Sequence, residues 1–391
     1  MSTFGNVASV FSNWLNLTRE TRILPAEDII NDAMQQTYLI GEMVKGVDPT
    51  SIVKAGKFIS ERIRLTNVGN YQHIVPGQER TPTRGTTVIT WNGPWRWSEN
   101  SMPYTEDEIE LNGPGDMLAC FKNFKTSLMT DLKSEHLNGM EADLWAVPDQ
   151  GNMEAGSTGS GAVRPGLPYS IPTFITEAVT SGVPTGLPPA NNGTFTTVEG
   201  ISPATYPNWA NPVGQYDPND LGNENTGLFA AFSTVRRAVE FKIPGGYEKY
   251  MENDDLRKMK ICTNADGQNV YEQRLAAVND LTRAGPQDPA YGNPQYRGIP
   301  VEYIATLDTA LLEQNPIGTY TTAAYAPGRP RYFFVNCKYI RPVYHPAHFM
   351  QETDPISGGM KQPDTYAIFV RSRWNLICLS RRRNGIVRPN A

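Results

Sequence analysis

The stretch from residue 113 to 148, GPGDMLACFKNFKTSLMTDLKSEHLNGMEADLWAVP, carries the strongest helix signal in the chain. Met117, Phe121, Phe124, Leu128, Leu132, Met140 and Leu144 keep a three-to-four spacing until Pro148 stops the run, and Asp116 stands after Gly-Pro-Gly where an N-cap belongs. The spacing predicts one helix from Met117 to Trp145, ~43 Å long at ~1.5 Å per residue. An ordinary globular helix has about 11 residues, so this one is expected to span the molecule.

Upstream, RLTNVGNYQHIVPGQ runs outward, GTTVITWNGPWRW continues and SENSMPYTEDEIEL returns, which predicts a long extended β-hairpin over residues 62–112. Within it, residues 86–97 (TTVITWNGPWRW) read as a strand, a turn at Asn92-Gly93-Pro94 and a returning strand. Three of the chain's seven tryptophans, Trp91, Trp95 and Trp97, crowd around that turn, although turns normally lie at the surface. A two-stranded hairpin is marginal in water, so its apolar tip needs a partner. Residues 1–61 read as an arm. LPAEDIINDAMQQTYLIGEMVKG sets Pro25 near a helix start, Glu27 and Asp28 in the first turn, and Ile30, Met34 and Tyr38 on one face. A second short helix is predicted from Pro49 to Glu61.

Downstream, residues 149–225 have the composition of a linker, yet Trp209, Tyr169, Tyr206 and Tyr216 argue for an ordered excursion that packs on something. Helix GLFAAFSTVRRAVEFK, strand MKICT, helix NVYEQRLAAVNDL and strand IPVEYIATL then predict a compact α/β unit over 226–330. RYFFVNCKYIRPVYH and TYAIFVRSRWNLICLSRR add two or three long strands in a β-rich closing segment, 331–391.

A chain of 391 residues can bury a sizeable core, and 34 glycines with 31 prolines make it rich in loops. A net charge of -5 weighs against a dedicated nucleic-acid binder. Cys120, Cys262, Cys337 and Cys378 form no CxxC pair, so neither a zinc site nor a disulfide framework is signalled. No signal-peptide pattern and no long apolar run stands in the sequence, and no membrane partner is expected. His345 and His348 form an HxxH interrupted by Pro346, GSTGSG at 156–161 lacks the lysine of a phosphate loop, and there is no GxSxG elbow. Catalytic residues, cofactors and metals are therefore not expected. The acids Glu106, Asp107, Glu108 and Glu110 match no fixed geometry and read as a solvated face or as partners for a neighbour's basic residues. Arg371, Arg373, Arg381, Arg382, Arg383 and Arg388 crowd the C-terminus, and arginine favours bidentate pairing at interfaces.

This order of parts resembles the major capsid protein of tailed bacteriophages, podophage-type and related, whose fold is shared with encapsulin shells. ICTNADGQNVYEQRLAAVNDL, YRGIPVEYIATLD, RYFFVNCKYIRPVYHPAHFM and PDTYAIFVRSRWNLICLSRRRNGIV look like the second half of such sequences. The resemblance implies an α+β fold: an N-terminal arm (1–61), an E-loop hairpin (62–112), the spine helix of a peripheral domain (113–148), an insertion (149–225), an axial domain (226–330) and the closing segment of the peripheral domain (331–391). It further implies hexamers and pentamers that build an icosahedral head around double-stranded DNA in the bacterial cytoplasm. The implied partners are copies of the chain itself, portal and scaffolding proteins, a decoration protein, and packaged DNA in loose contact with a mildly acidic wall, since firmly neutralised phosphates would resist filling and ejection.

Subunit-interface residues on this view are Trp91, Trp95, Arg96 and Trp97 in the hairpin, the acids Glu106, Asp107 and Glu108, and the arginines Arg371, Arg373, Arg381, Arg382 and Arg383. Three indoles buried between chains contribute at most ~15 kcal/mol before ordering costs. Two departures from parts of the family are readable. No lysine stands between Lys57 and Lys122, so covalent cross-links through E-loop lysines are not expected. The sequence opens at the arm and not at a charged scaffold segment, so a separate scaffolding protein is expected. The rival readings are an encapsulin-like cargo shell, against which the long insertion counts, and a carbohydrate-active protein, which requires the tryptophans to line one groove beside two carboxylates.

Overall fold

The computed structural model describes residues 39, 56–65, 73, 77, 88–107, 117–146, 166–176, 179–180, 183–184, 198, 201–203, 205–240, 258–279, 294–308, 330–357 and 364–390. Apart from Leu39, which is helical and buried, the predicted arm helix lies outside them, as do the Asp116 cap and Glu108. The first half supplies β1 (Phe58–Arg64), β2 (Val88–Pro94), β3 (Arg96–Thr105), α1 (Met117–Trp145), the single turn α2 (Ile171–Phe174) and β4 (Val213–Tyr216). The second supplies α3 (Leu228–Val239), β5 (Met259–Thr263), α4 (Ala265–Asn279), β6 (Gln295–Tyr296), β7 (Ile299–Tyr303), β8 (Tyr332–Asn336), β9 (Ile340–Tyr344), β10 (Gln351–Glu352), β11 (Ile356–Ser357), β12 (Thr365–Cys378) and β13 (Gly385–Pro389). Two compact units emerge, one holding the described residues of 97–140 and 345–373, the other those of 38–96, 141–344 and 374–391.

The larger unit is built on a six-stranded sheet in the order β4-β13-β8-β5-β7-β6. Every residue of β8 is buried, as suits a central strand covered on both faces. On α3, Leu228, Ala231, Phe232, Val235 and Val239 recur at three and four and are all buried against the sheet. Phe232 is the hub, with the rings of Tyr332, Phe334, Tyr296 and Tyr271 between 4.9 and 5.8 Å away. The helix sits so close that a Cβ at Gly385 would meet the Val235 side chain at 2.6 Å.

The α/β unit expected over 226–330 therefore recruits strands from both sides of it: β4 from the insertion, β8 and β13 from the closing segment. The parallel pair β5 and β7 alone cannot cover the apolar face of α3, and β8 completes it by pairing antiparallel with β5. Helix α4 begins four residues before its predicted start at Asn269, because the Asn264 side chain accepts the Gly267 N–H at 2.9 Å and caps it. In the insertion, Tyr169, Trp209 and Tyr216 are buried, as their size demands.

In the same unit β1 and β2 pair antiparallel from Phe58↔Pro94 to Arg64↔Val88. Two predictions are corrected here. Residues 58–61 are strand where a helix was expected. Asn92-Gly93-Pro94 is no turn: it continues β2, and its partner lies upstream in β1. The glycine serves a ring, since the Trp91 indole folds back to 2.3 Å from where a Gly93 Cβ would stand. Pro94 ends the strand, where a missing N–H costs little.

The smaller unit packs α1 against β3 and β12, which pair with each other. Tyr104, Met129, Leu132, Ile368 and Val370 form its core. The helix bounds match the spacing of the sequence at both ends. Among the described residues no helix is long and apolar enough to cross a membrane.

Candidate functional site

The predicted interface residues separate by burial. Trp91 is 2% exposed and Trp95 8% exposed, both within the chain's own fold. Strand alternation decides this, because 91, 93 and 95 fall on the inward face of the run from β2 to β3. Trp95 Nε1 donates to the Gly56 carbonyl at 3.0 Å, and the Trp91 ring lies 6.3 Å from that of Tyr169. The expectation that these two rings are held for a neighbour is corrected: both are core. Arg96 is half-buried, and burial lowers its guanidinium from the usual value, with Tyr169 opposing.

Trp97 is the exception, with 56% of its surface exposed. The Arg373 guanidinium stands 5.2 Å from its ring centre and the His348 ring 5.5 Å away, while His345 and His348 face each other at 4.9 Å. Cation and ring thus present one outward patch. Beside it, Arg371 is ion-paired with Glu99, and Lys133 with Glu352. Below the patch, His136 of α1 is buried with Nε2 2.8 Å from Ser372 Oγ and 3.4 Å from Ser98 Oγ, and the Met350 N–H donates to the same Ser372 oxygen at 3.1 Å. Burial holds the His136 imidazole below its ordinary value. Glu106 and Asp107 are exposed at the end of β3, Glu106 accepting the Tyr366 hydroxyl at 2.7 Å.

The C-terminal arginines are not one surface. Arg381 is fully buried: Nε donates to the Phe174 carbonyl at 2.7 Å, Nη1 to the Trp209 carbonyl at 3.0 Å, and Nη2 to Asn211 Oδ1 at 3.1 Å. It is an internal staple for the insertion, and its planar fork explains why arginine stands there. Its expected place at a subunit interface is corrected on that ground. Arg383 lies 4.8 Å from the Tyr339 ring centre and donates to its hydroxyl, with burial lowering its guanidinium from the usual value. Arg382 is exposed, with Asn208 as a partner at 3.3 Å.

Sequence reasoning missed the outward face of β1, where Arg62 and Arg64 are exposed. The alternation of Ile59 and Ile63 with these arginines was the signal that marks them. Among the described residues no group of three or more His, Cys, Asp or Glu side chains is placed to hold a metal ion.

No protein-family model and no curated protein matches this chain. Solved structures do. A chain of the cyanophage A-1(L) capsid asymmetric unit is similar over 94% of this chain and 98% of its own, with 14% identity and a TM-score of 0.52. A chain from the capsid of a native GTA particle matches over 93% and 94% at 11% identity and a TM-score of 0.49, and one from Mycobacterium phage Bobi over 94% and 95% at 11% and 0.44. The chain has the fold of a phage capsid protein.

Proposed function

We propose that this chain is the major capsid protein of a tailed phage, assembling into hexamers and pentamers that form an icosahedral head around double-stranded DNA. The observation that carries the proposal is the likeness to the cyanophage capsid chain over 94% of one chain and 98% of the other. On this reading the β1–β2 pair is the E-loop, α1 the spine helix, the six-stranded sheet with α3 and α4 the axial domain, and β3 with β12 the peripheral domain. The exposed Trp97 patch is a subunit contact, with Arg373 and the neighbouring acids at its rim. Covering the exposed part of one indole contributes roughly 2–3 kcal/mol per subunit before ordering costs, which multiplies around a closed shell. Scaffolding and portal proteins direct assembly in the host cytoplasm, and a decoration protein is a further partner.

Size-exclusion chromatography with negative-stain electron microscopy of the full chain, alone and with a scaffolding protein, tests this. Closed shells, tubes or capsomer rings are expected. A clean monomer under both conditions overturns it.

A further inference from the structure

A cleft of about 310 Å³ opens in the smaller unit, between the β3 residues around Asn100 and Met102 and the face of α1 that carries Asp131, Ser134, Glu135 and Asn138. Asp131, Glu135 and Asn138 stand at i, i+4 and i+7 of one helix and so share a stripe. Small-molecule sites begin at roughly 300 Å³, and a single water takes only ~30 Å³. The cleft therefore has room for an organic ligand.

Its hydrogen bonds are arranged one way. Asn100 Nδ2 donates to the Leu132 carbonyl at 3.2 Å, and its Oδ1 accepts the Ser101 N–H at 3.0 Å. Ser134 Oγ donates to the Thr130 carbonyl of its own helix at 2.8 Å. Two side-chain donors of the lining are thus spent on backbone carbonyls. Set against them are three acceptors: the carboxylates of Asp131 and Glu135, and Asn138 Oδ1, which is buried without a hydrogen-bond partner. A buried oxygen with no donor costs free energy, and like charges four apart on a helix repel. Burial also holds the Asp131 carboxyl above its ordinary value. A positive charge that carries N–H groups relieves all three.

The lining itself holds no lysine or arginine, and Lys133, two residues from Asp131, is ion-paired with Glu352 instead. Asp131 and Glu135 are set apart from other exposed acids by the cavity they share with a buried acceptor. Met102 adds an apolar wall, which suits a hydrocarbon stem better than a hydrated metal ion.

We propose that this cleft binds an aliphatic polyamine, with one ammonium group taken by Asp131, Glu135 and Asn138 Oδ1 and the methylene chain lying along Met102. The site is complete in one chain, so it stands apart from the reading of the chain as a shell subunit.

Isothermal titration calorimetry of the full chain with spermidine at fixed ionic strength, beside its melting curve, tests this. One saturable site per chain and a higher melting temperature are expected. Glu135→Gln is expected to weaken binding at least tenfold and to leave the ligand-free melting curve unchanged, because the side chain is exposed. Asn138→Asp places a charge at the orphan acceptor and is expected to tighten binding about threefold or more, a gain that misfolding cannot give. No saturable binding, or equal affinity in the wild type and Glu135→Gln, overturns the site. Magnesium chloride that binds as tightly at the same ionic strength assigns the cleft to a metal ion, and N-acetyl-lysine methylamide that matches spermidine assigns it to a lysine of another protein. Either result overturns the polyamine. Binding is read whether or not shells form, so its failure leaves the proposed function to its own test.

Discussion

Trp91 and Trp97 are six residues apart and differ in burial, 2% and 56% exposed. Trp91→Ala empties a core position and is expected to cost the isolated subunit about 3–5 kcal/mol, seen as a lower melting temperature. Trp97→Ala is expected to leave subunit stability within about 0.5 kcal/mol and to reduce assembly instead. Equal loss of stability in both variants would place Trp97 in the core and remove it from the interface. His136 gives a second handle. Its value is lowered from 6.5 by burial, so the folded state resists a proton that the unfolded chain accepts. The stability it contributes is complete above ~6.5 and is lost as pH falls toward the lowered folded value. His136→Gln is therefore expected to show a flatter fall of melting temperature between about pH 7 and 5 than the wild type does. A parallel pair of curves would contradict the buried neutral ring.

At the scale of elements, α1 was readable because seven apolar side chains recur at helical spacing, and its bounds need nothing from elsewhere in the chain. Gly139 is the weak point of that helix. A Cβ there meets nothing within 4 Å, so Gly139→Ala is expected to stabilise the subunit by about 0.5–1 kcal/mol in chemical denaturation, and a loss of stability would mean a neighbour occupies that space. The strands were less legible. Asn92-Gly93-Pro94 has turn composition, and only the Trp91 ring lying over Gly93 explains the glycine in an extended segment. The pairing of β2 with β1 across residues 65–87, and the passage of β4, β8 and β13 into one sheet, depend on contacts distant in sequence that no local pattern encodes. Arg381 misled for a related reason: a run of three arginines looks solvated, while its carbonyl partners at Phe174 and Trp209 lie more than 170 residues away.

For the whole molecule, the fold is shared with a phage capsid chain at 14% identity. The lysine gap between Lys57 and Lys122 gives a prediction about the particle. Shells boiled in denaturant are expected to run as a single 43.4 kDa band on a gel, and a ladder of cross-linked multiples would contradict it. The most direct measurement is cryo-electron microscopy of particles purified from cells expressing the full chain with its scaffolding protein. Closed shells with fivefold and sixfold rings, in which the β1–β2 pair of each subunit lies on an adjacent one, are the predicted result. Dispersed monomers, or particles whose hairpins touch only their own subunit, would contradict the account.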